Sequence, residues 1–154
     1  MIKGLYEAHL PVRDLEKSIE FYKKLDLELA YQTDKLAFFW MEKGHSWLGL
    51  WETEKVDTPY HPSLRHIAFH VSLEDIRNAG DWLKQRGIEA RTAFGFSPEE
   101  QPLVLANDAH AHAAVYFHDP DGNSLELIAP LRLDTEEKLE KMSLKEWDQK
   151  YASE

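Results

Sequence analysis

The sequence predicts an α+β protein built from two successive βαβββ modules and a short C-terminal helical tail. Three observations lead there. Segments 6–12 (YEAHLPV) and 66–71 (HIAFHV) both alternate apolar and polar residues, as half-buried strands do. Each is followed by a capped stretch of helical period. Each module then continues through further strand-like runs, so the order repeats within the chain. The expected boundaries are 1–53 for the first module, 54–63 for a polar, Pro-containing linker, 64–130 for the second module and 131–154 for the tail.

In the first strand Tyr6, Ala8, Leu10 and Val12 point one way, and Glu7, His9 and Pro11 the other. Asp14 offers an N-cap, and Leu15, Ile19, Tyr22 and Leu25 fall at helical spacing. Asp26 follows at the helix end, where an aspartate tolerates the left-handed conformation. Strands are predicted at 27–30, 36–41 and 47–51, with Lys43-Gly44 as a turn. In the second module Ser72 caps a helix whose face is Ile76, Ala79 and Leu83, closed by Gly87. Strands are predicted at 88–91, 112–118 and 124–129, with Asp119-Pro120-Asp121-Gly122 as the turn between the last two. In the tail, Asp134-Thr135-Glu136-Glu137 opens one short helix, and Ser143-Leu144-Lys145-Glu146 has capping-box spacing for a second. The tail reads as a peripheral or subunit-contacting element.

Composition narrows the function. With 18 Lys+Arg against 28 Asp+Glu, the formal charge is −10, which disfavours phosphate backbones and anionic membranes as partners. No cysteine is present, so disulfides, thiolate metal sites and a cysteine nucleophile are excluded. The start lacks the apolar run of a signal peptide and no stretch reaches membrane-spanning length, so a cytoplasmic protein is expected.

The polar faces of the strands concentrate metal-ligating types. The first strand carries Glu7 and His9, its counterpart His66 and His70, the strand from Ser124 carries Glu126, and 112–118 carries His112, Tyr116 and His118, with His110 upstream. Imidazole nitrogens and carboxylate oxygens suit a divalent first-row metal, and three of them on rigid strands leave coordination positions open for substrate oxygens. The alternative is an ordinary solvated sheet face. Trp40, Trp47 and Trp51 fit either a core or the lining of an apolar pocket.

Residues 12–18 (VRDLEKS), 20–22 (EFY), 66–69 (HIAF) and 116–127 (YFHDPDGNSLEL) resemble the vicinal oxygen chelate superfamily, over about residues 4–130. That superfamily includes glyoxalase I, fosfomycin-resistance enzymes, bleomycin-resistance proteins and extradiol dioxygenases. The resemblance implies modules that form a curved, barrel-like mixed sheet, paired within one chain or across a swapped homodimer. It implies a divalent metal (Mn, Fe, Zn, Ni or Mg) held by His66 and Glu126. The first-strand ligand of the family is usually His, and the count back from Val12 gives Glu7, with His9 as the alternative. A fourth ligand, as in glyoxalase I, falls near Leu48, which cannot ligate. Tyr116 resembles a substrate-contacting tyrosine of the fosfomycin-resistance branch, and the substrate pocket is assigned to His9, His70, His112, Tyr116 and Trp47. The Lys/Arg pattern of that branch is not recognisable, and Arg91–Glu100 is acidic where a phosphonate pocket would want cations. The implied function is a metal-dependent enzyme on a small oxygen-bearing substrate, a lyase, transferase or dioxygenase. The alternatives are a metal-free, bleomycin-resistance-like binding protein and an extradiol-type dioxygenase.

Overall fold

The protein is described by a computed structural model covering residues 1, 3–56, 65–105, 111–131 and 140–151. It divides into two units: Met1–Arg65 with Asp119–Asn123, and His66–His118 with Ser124–Glu154.

In the first unit the alternating segment forms β1 (Glu7–Val12), followed by α1 (Leu15–Lys24), β2 (Leu29–Gln32), β3 (Leu36–Glu42) and β4 (Ser46–Glu52). The sheet order is β1-β4-β3-β2, with β1 parallel to β4 and the other pairs antiparallel. Asp14 caps α1 by accepting from the Lys17 amide at 3.0 Å. Asp26 has φ 60°, as its place at the helix end predicts. The helix packs on β3 and β4, burying Leu15, Ile19 and Tyr22 with Leu10, Val12, Phe39, Leu48 and Leu50. Each such side chain contributes about 1.5–3 kcal/mol through the apolar area removed from water. β2 lies two residues later than the periodicity suggests. A bulge between Leu29 and Tyr31 adjusts its pairing with β3, and Thr33 closes the turn by accepting from the Leu36 amide.

The Asp119–Asn123 turn belongs to this unit and is a buried polar knot. Asp119 Oδ1 accepts from the amides of Asp121 (2.9 Å) and Asn123 (2.8 Å), and Oδ2 accepts from Tyr22 Oη (2.9 Å) and Asn123 Nδ2 (2.6 Å). Gly122, at φ 75°, supplies the left-handed residue that the turn requires. Burial raises the Asp119 pKa against these hydrogen bonds, and burial beside Asp119 raises that of Tyr22 well above its ordinary value.

The second unit contains β5 (His66–His70), α2 (Leu73–Arg77), α3 (Ala79–Gln85), a 3-10 turn at Pro98–Glu100, β6 (Leu103–Leu105), β7 (His112–His118), β8 (Ser124–Pro130), β9 (Met142–Ser143) and α4 (Leu144–Tyr151). Its sheet order is β5-β8-β7-β6-β9, with β5 parallel to β8. Several expectations are corrected here. The single helix after Ser72 is two, broken where Asn78 (φ −105°, ψ 3°) leaves helical geometry. Residues 88–91 form no strand, only an isolated bridge between Ala90 and Phe117. The edge of β7 is taken instead by β6, too short to show a period. The capping box at Ser143 is present, with the Glu146 amide 3.2 Å from Ser143 Oγ. Yet the tail is no peripheral appendage: β9 extends the sheet along β6, Leu144 and Trp147 are buried, and Arg77 forks onto Asp148. The expected helix at 134–137, most of the linker and His110 lie outside the described residues.

Candidate functional site

Ladder register builds the second unit's site. His66 pairs with Ser124, Ala68 with Glu126, and Tyr116 with Glu126, so His66, Ser124, Glu126 and Tyr116 share one sheet face across three adjacent strands. This face is not the solvated one that simple alternation suggests. Glu126 is 4 % and Tyr116 6 % exposed, because Leu103, Leu105, Ala93, Ala114 and Phe96 close around Tyr116.

Within it, His66 Nε2 stands 3.1 Å from Glu126 Oε2, and His66 Nδ1 stands 3.1 Å from the Ser124 carbonyl. A carbonyl only accepts, so Nδ1 carries a proton and the ring's second nitrogen is aimed at the carboxylate. Glu126 raises the His66 pKa through this hydrogen bond, against the opposing effect of burial. His112 Nε2 lies 3.9 Å from Glu126 Oε1. That oxygen is buried and has no hydrogen-bond partner. Desolvation, then the adjacent Glu126 charge, push the Tyr116 phenol far above its ordinary pKa, so its hydroxyl keeps its proton at any physiological pH. The His66 and Tyr116 rings stack at 6.5 Å. His70 and His118 are exposed, and His70 makes none of the contacts that join His66 to Glu126.

Periodicity did not single out two residues of this face. The Arg91 guanidinium donates from Nη2 to Ser124 Oγ at 2.9 Å and lies 5.2 Å from the centre of the Tyr116 ring. The Gln101 amide ties the segment to β7, donating to the Arg91 carbonyl at 2.6 Å and accepting from the Tyr116 amide at 3.0 Å. Arg91 sits in an irregular segment, where no alternation says which way a side chain points.

The first unit presents a different face. Glu7 pairs with Trp47 and His9 with Gly49; across the next ladder Trp40 pairs with Trp47 and Phe38 with Gly49. Trp40, Trp47 and Trp51 therefore lie opposite the α1-covered core. Phe38 and Trp40 stack on Trp47 at 4.5 and 5.1 Å, and Tyr6 meets it edge-on at 5.6 Å. Trp47 Nε1 donates to Glu7 Oε2 at 2.7 Å, and Trp51 Nε1 to His9 Nδ1 at 2.7 Å. Because Nδ1 accepts, the neutral His9 carries its proton on Nε2, which donates to Glu7 Oε1 at 3.1 Å. These hydrogen bonds, from Trp47 foremost and then His9, lower the Glu7 pKa. Gly49 makes room for the imidazole: a Cβ there would fall 2.4 Å from His9 Nδ1. By ladder register the counterpart of Glu126 is Gly49, not Leu48, whose side chain is buried on the opposite face.

Among the described residues, no three His, Asp or Glu side chains gather closely enough to hold a metal on their own.

The Glyoxalase/Bleomycin resistance protein/Dioxygenase superfamily model matches residues 4–127. The chain belongs to this superfamily. It is 30 % identical to a metallothiol transferase FosB of Staphylococcus saprophyticus, over 97 % of this chain and 94 % of the relative. It is 28 % identical to a glutathione transferase FosA of Serratia marcescens, over 82 % and 81 %. Among solved structures it is similar to the fosfomycin resistance protein FosX of Listeria monocytogenes, at 27 % identity and TM-score 0.60, covering 84 % of this chain and 94 % of that one. An integron cassette protein from a Halifax Harbour sewage outfall metagenome matches at 25 % identity and TM-score 0.64, covering 83 % and 99 %. The superfamily resemblance and α+β class read from the sequence agree with these findings. So does an enzyme of this superfamily as the implied function. No helix among the described residues is long and apolar enough to cross a membrane.

Proposed function

We propose that this protein is a metal-dependent transferase of the fosfomycin-resistance type, joining a nucleophile to a small, oxygen-bearing electrophile. The observation that carries the reading is the buried Glu126 Oε1, which accepts no hydrogen bond, beside His66, whose Nδ1 is backed by a carbonyl. Outer-shell support of this kind is what a metal-ligating imidazole usually has, and an orphaned carboxylate oxygen is costly unless a cation or donor meets it. The transferase names of the curated relatives support the same choice.

His66 and Glu126 would hold the metal. Of the two ligand candidates on the first strand, Glu7 suits a metal better than His9. Both His9 nitrogens are engaged, whereas each Glu7 oxygen accepts one hydrogen bond and retains a lone pair. His9, Trp47 and Trp51 then orient Glu7. Oxygen donors such as Glu7 favour Mn, Mg, Fe or Zn, whereas a two-His-one-carboxylate set suits the Fe(II) of a dioxygenase. A bound divalent ion would supply Lewis-acid polarisation of a substrate oxygen. The Tyr116 hydroxyl, held protonated, donates a hydrogen bond to a developing negative oxygen, and the apolar residues around it exclude water. In this reading the protein is a cytoplasmic homodimer, which sedimentation at micromolar concentration checks.

Thiol consumption with small epoxides, fosfomycin among them, in the presence of Mn2+, Mg2+, Zn2+ or Ni2+ tests the proposal. Metal-dependent turnover that is abolished by chelator is expected. Firm ligand binding without turnover under any metal would instead establish the binding-protein reading, which the exposed aromatic face of the first unit favours.

A further inference from the structure

Among the described residues, the non-glycine residues with positive φ are three: Asp26 (60°), Arg65 (54°) and Phe94 (51°). Two have an evident reason. Asp26 closes α1, and the Arg65 guanidinium is fastened to Asn123 and to the carbonyls of Val56 and Asp121. Phe94 has no reason of this kind. It stands at the tip of a two-residue hairpin, in which the Ala93 amide donates to the Phe96 carbonyl at 3.0 Å and the Phe96 amide to the Ala93 carbonyl at 2.9 Å. With Gly95 at φ 86°, both central residues are left-handed, the pattern of a type I′ turn. Asn, Asp or Gly takes the first of these positions readily; a phenylalanine there is strained.

The hairpin places that phenyl on the second unit's site. Its base is tied to β7 by the Arg91 amide, which donates to the Tyr116 carbonyl at 2.8 Å, and by Gln101. Ala93 and Phe96 pack with Tyr116, Leu103, Leu105 and Ala114. Phe94 itself meets the Tyr116 ring edge-on at 5.7 Å, and Lys141, just before β9, sets its ammonium 4.4 Å from the phenyl centre. Core packing explains Ala93 and Phe96. It explains little of Phe94, which is 56 % exposed beside a tyrosine that is 6 % exposed. An exposed cation–π contact is weak, so stability does not account for a bulky aromatic on this backbone. Strain of this kind gathers where a ligand is gripped.

We propose that Phe94 is a specificity-determining residue, whose phenyl takes the non-reacting, apolar substituent of a substrate with its oxygen atoms toward Tyr116 and Glu126. This rests on the reading of the site given above and adds the substituent it prefers, an aryl or bulky alkyl group over methyl. The hairpin suits such an occupant. Phe94 and Phe96 offer apolar surface, and covering the rest of the phenyl removes apolar area from water.

The test is calorimetric titration of acetohydroxamate and benzohydroxamate into protein loaded with whichever of Mn2+, Zn2+, Ni2+ and Mg2+ it takes up most tightly, for wild type, Phe94→Asn and Phe94→Leu. The two ligands share one oxygen chelate and differ in a methyl against a phenyl, so the ratio of their affinities isolates the substituent. Wild type is expected to prefer benzohydroxamate by about 10-fold, Phe94→Leu to keep part of that preference, and Phe94→Asn to lose it with acetohydroxamate affinity unchanged. Asparagine suits the turn, so that variant should melt no lower than wild type. A preference that survives Phe94→Asn, its absence from wild type, or an equal loss for both ligands overturns the proposal and leaves Phe94 a packing residue. A wild type that takes up none of these ions overturns the metal reading instead. Phe94 is then judged on the metal-free protein, by chemical-shift titration with styrene oxide and propylene oxide and the same ratio as criterion.

Discussion

The two units place different chemistry on one repeated ladder. At the start of β1 and β5 stand Glu7 and His66, and opposite them Trp47 and Ser124. Two residues on, the partner strands carry Gly49 and Glu126. In the first unit the ligand-equivalent position is emptied to glycine and filled by the His9 ring. The carboxylate there is exposed and bonded at both oxygens. In the second unit the carboxylate is buried and keeps an oxygen unmet. A satisfied, solvated network orients a group; an unsatisfied, dry one awaits a ligand. The comparison teaches that one ladder pattern serves both units, while burial and hydrogen bonding distinguish the solvated, satisfied carboxylate from the buried one.

Substitutions can break that contrast. The largest effect is expected from Glu126→Gln, which keeps the shape but removes the charge. Divalent-metal affinity should fall by ~100-fold or more, measured against a competing chelator, and little change would erase the distinction between the units. Next comes Gly49→Ala. The new methyl cannot coexist with the imidazole as placed, so urea unfolding should show a loss of about 1–3 kcal/mol. Trp51→Phe sharpens the picture more finely. Without the indole N–H, His9 no longer has Nδ1 held as an acceptor, and nitrogen NMR should show mixed tautomers with about 0.5–1.5 kcal/mol of lost stability.

The smallest effect concerns the tail, anchored within the second unit by the Arg77–Asp148 fork. Arg77 holds the Asp148 pKa below its ordinary value. The pair therefore contributes above the unfolded-state value of ~3.9 and is lost as pH falls through the lowered folded-state value. Because both side chains are partly exposed, Asp148→Asn should cost about 0.2–1 kcal/mol at neutral pH. The variant should converge with wild type in chemical denaturation once pH has fallen below the lowered folded-state value of Asp148.

Much of this was legible in the sequence because the physics is local. Alternation in 6–12 and 66–71, the Asp14 and Ser72 caps and the Asp119–Gly122 turn each declare themselves within a few residues. Register does not. Aligning Gly44 with Gly122 places Leu48 beside Glu126, but the ladder pairs Gly49 there, and a slip of one residue moves a side chain to the other face. Nor could spacing choose between Glu7 and His9, since the choice depends on two indole donors about 40 residues away in sequence. Arg91 was not singled out because 88–91 reads as a strand while the structure makes it an irregular segment with one isolated bridge, and β9 was missed because a two-residue strand exists only through its partner β6.

The most direct test is the metal content of untagged protein beside His66→Ala and Glu126→Ala, together with melting temperatures under added Mn2+, Zn2+, Ni2+ and Mg2+. The account predicts near-stoichiometric metal in the parent, its disappearance from both variants, and stabilisation of the parent by at least one of these ions, since a ligand that binds only the native state raises its melting temperature. A metal-free parent whose melting temperature no divalent ion shifts would contradict it.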